Sequence, residues 1–176
     1  MTTPEPRRSW STRPEQAGTD RKGIRDVLLA AFPTSLEADL VDTLRSDPEA
    51  WIPELSVVSV GDDGDVVGYS LLTRCHVGDA EALALAPCAV RPEHQSQGAG
   101  SAAIRAGLDA ARGTGENLVV VLGHADYYPR FGFGRASMLG VMAPFEVPDE
   151  NLMALTLNPS APVSHGTIRY AAAFGV

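Results

Sequence analysis

The chain has 176 residues, the length of one ordinary domain and too short for two comfortable ones. Hydrophobic residues make up 44% and charged residues 20%, near the globular averages, so a core can be buried and general disorder is not expected. The net charge of −8 argues against a nucleic-acid surface, which needs clustered basic residues, and suits a cationic or amine-bearing partner.

Residues 1–20 carry three Pro and three Arg with almost no apolar periodicity. They read as a flexible tail ahead of a single domain over residues 21–176. The segment lacks the apolar stretch of a secretory signal, and no apolar run approaches the ~18 residues of a membrane span. A cytoplasmic protein with no membrane role is expected. Ile24, Val27, Leu28 and Ala31 fall at i, i+3, i+4 and i+7, which predicts a helix ending before Pro33. Leu36, Leu40, Val41 and Leu44 repeat the pattern, with Thr34 or Ser35 as N-cap and Pro48 as the stop. Lys22 is the only lysine, against 13 Arg, and no Gly precedes it. A Walker-type phosphate loop is therefore excluded, and Schiff-base chemistry has one candidate at most.

Strands follow. Residues 55–60 are apolar and β-branched, residues 61–65 form a turn cluster with an Asp-Gly step, and residues 65–77 read as the returning strand. Gly78 and Asp79 turn the chain again into residues 81–90, nearly all apolar, as in a strand buried on both faces. Cys75 and Cys88 make no disulfide framework, and without a signal peptide the compartment is read as reducing. The four His are scattered without HxxxH or paired-Cys spacing, so no metal site is expected.

Residues 91–100 form a loop, and residues 101–112 a helix with Ile104, Leu108 and Ala111 on one face. Gly113 and Gly115 stop it, and residues 117–122 read as another buried strand. Strand, Gly loop, helix and strand make a βαβ unit, which calls for a parallel pair with a right-handed crossover. Residues 139–145, 152–157 and 167–171 supply candidates for further antiparallel strands. The expected class is α+β with a mixed sheet.

Gln95-Ser96-Gln97-Gly98-Ala99-Gly100-Ser101 lies between the buried strand and the helix. Glycines there bring the backbone close to a ligand and present N–H groups at a helix N-terminus, a site suited to pyrophosphate. A dinucleotide fold would want Gly at Ala103 and an acidic residue near position 123, where Gly123 and His124 stand instead. The stretch Val90-Arg91-Pro92-Glu93-His94 and the Gly loop after it resemble the acetyl-CoA motif of the GNAT N-acetyltransferases, Q/R-x-x-G-x-G/A. Tyr127-Tyr128-Pro129-Arg130-Phe131-Gly132-Phe133 resembles the family's second signature, a Tyr four residues before Gly-Phe. The carboxy-terminal stretches 152–159 and 165–175 resemble the YhbS-type branch of bacterial acetyltransferases.

The resemblance implies a mostly antiparallel sheet whose central parallel strands splay apart beyond a bulge, so that the pantetheine arm of acetyl-CoA adds like an extra strand. Pro87 is expected to break the strand there. Cys88, Ala89 and Val90 would pair with pantetheine, and Gln95 through Ser101 would surround the pyrophosphate. The implied reaction is acetyl transfer from acetyl-CoA to a primary amine, on a small molecule or peptide, by direct attack in a ternary complex. Tyr128 would be the acid for the leaving thiolate, with Tyr127 as its competitor. Glu81 is the candidate base, with His76 and His124 as alternatives. Cys88 is either a buried thiol or a nucleophile, the first being the ordinary state of a free Cys. A monomer or homodimer is expected. The alternative, from another class, is a catalytically silent acyl-CoA-binding sensor or partner module on the same fold.

Overall fold

The computed structural model describes residues 9–176. Residues 1–8, most of the expected tail, lie outside the described residues. The rest of that expectation is corrected: Ser11–Pro14 forms a strand, β1, paired antiparallel with β2, Ser56–Val60. No apolar alternation marked it. Its backbone covers the edge of a wholly buried strand, Pro14 sits at its end where a missing donor is tolerated, and Arg13 is tied to the buried carboxylate of Asp20.

Helices α1 (Arg21–Ala31) and α2 (Leu36–Arg45) match the periodic stripes. Strands β3 (Val66–Val77) and β4 (Ala80–Val90) form a long antiparallel pair, followed by α3 (Ala99–Gly113) and β5 (Leu118–Leu122). β6 (Gly134–Arg135), β7 (Val141–Met142), β8 (Leu152–Thr156) and β9 (Gly166–Arg169) complete the sheet, in the order β1-β2-β3-β4-β5-β8-β6, with β9 on β3 and β7 on β9. The pairing is antiparallel except at β4–β5 and at the short β7–β9 contact. The strand expected over 139–145 is thus two residues long and parallel to its partner. It is short because Pro144 cannot continue a ladder.

The sheet has a core on each side. On one face α3 packs Ile104 and Leu108 against Leu72, Leu83, Leu85, Val119 and Val121. On the other, α1 and α2 cover Val58, Tyr69, Leu71 and Ala89. Farther along that second face, Leu118, Val120, Ala154 and Ile168 lie under the carboxy-terminal segments. Gly107, inside α3, weakens the helix by about 1 kcal/mol relative to Ala. Burial of Ile104 and Leu108, about 1.5–3 kcal/mol each, outweighs it. Two buried hydroxyls dock the same helix: Ser59 donates to the Ala99 carbonyl at 2.6 Å and Ser70 to the Ala103 carbonyl at 2.9 Å. The helix start is therefore fixed against the middle of the sheet.

Candidate active site

The two central parallel strands touch only briefly. β4 and β5 pair at Leu83–Val119 and Ala84–Val120, and no further. Beyond that point β4 continues to Val90, while β5 stays paired on its other edge with β8 through Leu122. A register shift separates the two strands' paths. Ser70 faces Cys88 and Leu72 faces Leu85, so β4 carries one residue more than β3 around Ala86 and Pro87. Such a bulge bends its strand and increases its twist. Pro87, joined to Ala86 by a cis peptide, sits inside the bulge, in the gap it leaves in the β3–β4 pairing. The result is an open slot whose β4 wall offers the backbone of Cys88, Ala89 and Val90.

One end of the slot meets the amino terminus of α3. Gly98 caps the helix with φ near 90°, and Ser96 also takes a positive φ of 62°, so the loop of Gln95, Ser96, Gln97 and Gly98 turns sharply and stays exposed. The first N–H groups of α3, from Ala99, Gly100 and Ser101, have no partner within the helix and carry its positive dipole end. Gly100 is required by contact: a Cβ there would lie 2.8 Å from Val90 Cγ2. Ser101 Oγ and the Tyr127 hydroxyl lie 3.0 Å apart. Trp10 donates its indole N–H to the Gln97 carbonyl at 2.8 Å, tying the segment before β1 to the loop.

The middle of the slot holds Tyr128. It begins a 3-10 turn, Tyr128–Phe131, and packs edge-on to Tyr127 (5.1 Å) and to Phe133 (6.0 Å). Its ring packs in the same cluster as Cys88 of β4, and the two groups are close enough to perturb each other. Burial, with the nearby Cys88, raises the phenol above its ordinary range, so it holds its proton firmly. Burial likewise pushes the Cys88 thiol up to about 12, with Tyr128 opposing. The two adjacent tyrosines therefore separate: Tyr127 points to the helix start, Tyr128 to the bulged strand.

Glu81 is corrected. It opens β4 at the end away from the slot, opposite His76, with its side chain 70% exposed and 3.8 Å from the Arg74 guanidinium. Seven residues of extended strand, roughly 23 Å at 3.3 Å each, separate it from Cys88. The parallel pairing explains why: only the carboxyl ends of β4 and β5 splay, and Glu81 is at the amino end. His76 shares that location. His124 follows β5 at the open end and is exposed.

The sequence reading missed Gly123 and Asn151. The Gly123 N–H donates to the Asn151 carbonyl at 2.9 Å, and the Asn151 side-chain amide donates to the Gly123 carbonyl at 3.0 Å. This clasp closes the end of β5 against the segment before β8 and fixes the backbone on which the Tyr128 ring rests. Only the unexpected Gly at the end of an apolar strand signalled it. Among the described residues no group of three or more His, Cys, Asp or Glu is arranged to hold a metal ion, and no helix is long and apolar enough to cross a membrane.

A slot between splayed parallel strands, with helix N–H groups at one end and a protonated phenol in the middle, is the frame of a group-transfer enzyme. The comparisons identify which kind. Residues 22–133 match the model of the Acetyltransferase (GNAT) family. The uncharacterized N-acetyltransferase YjhQ of Escherichia coli (strain K12) is 40% identical over 157 residues, covering 84% of this chain and 86% of that protein. The crystal structure of the GNAT family N-acetyltransferase YhbS from Escherichia coli, in complex with CoA, superimposes with a TM-score of 0.87 at 27% identity, covering 100% of this chain and 96% of that one. A GNAT family acetyltransferase from Brucella melitensis, in complex with acetyl-CoA, gives 0.75 at 31% identity, covering 94% and 98%. The chain belongs to the GNAT acetyltransferase family, with a YhbS-like fold throughout.

Proposed function

We propose that this protein transfers the acetyl group of acetyl-CoA to a primary amine by direct attack within a ternary complex. The observation that carries the reading is the parting of β4 from β5 beyond Ala84, which leaves the Cys88–Val90 backbone open beside the Tyr128 hydroxyl. The pantetheine arm pairs with that backbone, and the N–H groups of residues 97–101 receive the pyrophosphate. The complexes of the two relatives with CoA and acetyl-CoA support this use of the slot. Residues 21–176, with β1 added to their sheet, act as one catalytic domain.

In the reaction the neutral amine attacks the thioester carbonyl, and the backbone N–H groups of the bulged strand face the developing oxyanion. Tyr128 then protonates the departing thiolate, for which a phenol that keeps its proton is suited. With Glu81 at the far end of β4, the amine sheds its proton to water before attack. Calorimetry with acetyl-CoA, followed by amine-dependent thiol release, tests the reading. A folded protein that neither binds acetyl-CoA nor releases thiol with any amine refutes it.

A further inference from the structure

We infer that the acceptor is a small amine carrying an aryl or alkyl group, held by an apolar cleft on the sheet face opposite α3. This rests on the acetyltransferase reading above and names the substrate class of that site. The cofactor and Tyr128 occupy the α3 side of the slot, since Cys88, Tyr127 and Tyr128 pack with the α3 core. The amine therefore approaches from the other face. There Leu122 is the telling residue. Its neighbours alternate, with Val119 and Val121 in the α3 core and Leu118 and Val120 in the opposite one. Leu122 thus lies on the opposite face, at the last position of β5, and it is 46% exposed where its two predecessors on that face are buried.

The apolar surface continues sideways. Leu122 pairs with Leu152 on β8. Leu152 lines a cavity of about 640 Å³ together with Val141, Met142, Phe145, Val147 and Glu146. That volume falls within the range of about 300–1,000 Å³ typical of small-molecule sites. Phe145 is fixed by stacking on Tyr170 (6.2 Å, 16°), yet is 37% exposed, and Met142 is 55% exposed. Exposed large apolar side chains grouped on one cleft mark a binding surface, where scattered single ones would not. β8 is paired with β5 up to Leu122–Leu152, so the cleft begins one strand spacing, about 4.8 Å, from the β5 wall of the slot.

Charge agrees with this occupant. Of the two acidic residues lining the cleft, Asp149 is paired with Arg135 at 3.1 Å. Glu146 has no ion-pair partner among the described residues, and the chain carries −8 overall. An incoming ammonium is drawn to this mouth, while its apolar group is what the lining retains. A polyamine or a lysine-rich peptide tail would find one free carboxylate for several charges.

The test compares phenylethylamine and hexylamine with ethanolamine, spermidine and a lysine-containing peptide, using acetyl-CoA and thiol release. We expect kcat/KM for the first two to exceed the others by about 10- to 200-fold, the discrimination an apolar pocket gives. Phe145→Ala should erase most of that preference through KM, with acetyl-CoA affinity unchanged. Met142→Ser, at an exposed position, repeats the test without disturbing the stack on Tyr170. Equal or better turnover of spermidine or the peptide overturns the inference, as does a preference that survives both substitutions. If acetyl-CoA itself fails to bind, it is the acetyltransferase reading that falls, and this inference with it. If acetyl-CoA binds and no amine turns over, calorimetry of phenylethylamine on the CoA-loaded protein decides. Binding that Met142→Ser weakens at least ten-fold supports the cleft, and no binding refutes it.

Discussion

Gly123 and Tyr128 share a space that only one of them fills: a Cβ on Gly123 would stand 2.3 Å from Cε2 of the Tyr128 ring. The end of β5 is therefore a seat for the phenol, and Asn151 holds that seat through both its carbonyl and its side-chain amide. Gly123→Ala should push the ring out of the slot and leave the α3 end untouched. Displacing a reacting group by about 1 Å costs on the order of 10²-fold in rate. Steady-state kinetics should show that loss in kcat, with acetyl-CoA affinity by calorimetry unchanged. Equal activity in Gly123→Ala would mean that the ring position is not used.

The neighbouring tyrosines should divide in their effects. Tyr128→Phe removes the hydroxyl that faces Cys88 and keeps the ring packing. Turnover should fall by about 10²–10⁴, the range of a general acid, with cofactor affinity kept. Because burial raises the Tyr128 pKa, the acid stays protonated above the ordinary phenol range, and no alkaline loss of kcat should appear before that range is passed. Tyr127→Phe instead removes the partner of Ser101 at the helix start, so its effect should fall on the KM for acetyl-CoA. A large kcat loss in Tyr127→Phe alone would reverse the assignment.

The path of the chain was legible where side chains repeat with a period. The stripes of α1, α2 and α3 and the apolar run of β4 are set by burial, and burial writes itself into spacing. β1 was not legible, because backbone pairing and the Arg13–Asp20 contact hold it with no apolar pattern. The slot divided in the same way. The Gly loop and Tyr128 carry local motifs, whereas the position of Glu81 relative to the slot depends on strand direction. Its distance from the slot follows from which end of β4 pairs with β5, and spacing does not encode that end. Gly123 and Asn151 meet across 28 residues, so their clasp has no local signature.

The glycine at the second position of α3 should be indispensable for the cofactor. Gly100→Glu adds bulk where a Cβ already lies 2.8 Å from Val90, and places a negative charge at the helix end meant for an anion. Acetyl-CoA binding should disappear from the calorimetric trace, while circular dichroism reports a folded protein. Undiminished affinity in a folded variant would remove the pyrophosphate from this loop.

Asp20 should set part of the acid limit of stability. It is 4% exposed, accepts from Arg13 Nη2 at 3.1 Å and from the Gln16 N–H at 2.7 Å, and its carboxyl is held below the usual range chiefly by Arg13. A carboxylate whose folded pKa is depressed stabilises above its unfolded pKa, and that stability is lost as pH falls through the folded value. Asp20→Asn should therefore cost about 1–3 kcal/mol near neutrality, the range for a broken buried hydrogen bond to a charged group. The cost should shrink toward zero in strong acid. Urea titrations at neutral and acid pH measure it, and a cost that stays constant with pH would contradict the ionic account.

Cys88 should be dispensable for chemistry although it stands beside Tyr128. A covalent acetyl-cysteine requires a thiolate, and burial pushes the Cys88 thiol up to about 12, so at neutral pH it stays protonated. The nearby Tyr128 opposes the shift without overcoming it. What β4 contributes to the reaction is its backbone, which Cys88→Ala leaves in place. The substitution removes only the thiol near Tyr128 and leaves the phenol in place, so the acid remains available to the leaving group. Cys88→Ala should keep most of the activity, losing at most what a small packing change costs. Initial-rate plots against both substrates should intersect, as a ternary complex requires. Parallel lines, together with an acetylated Cys88 trapped by mass spectrometry, would overturn direct attack and make the thiol the first acceptor.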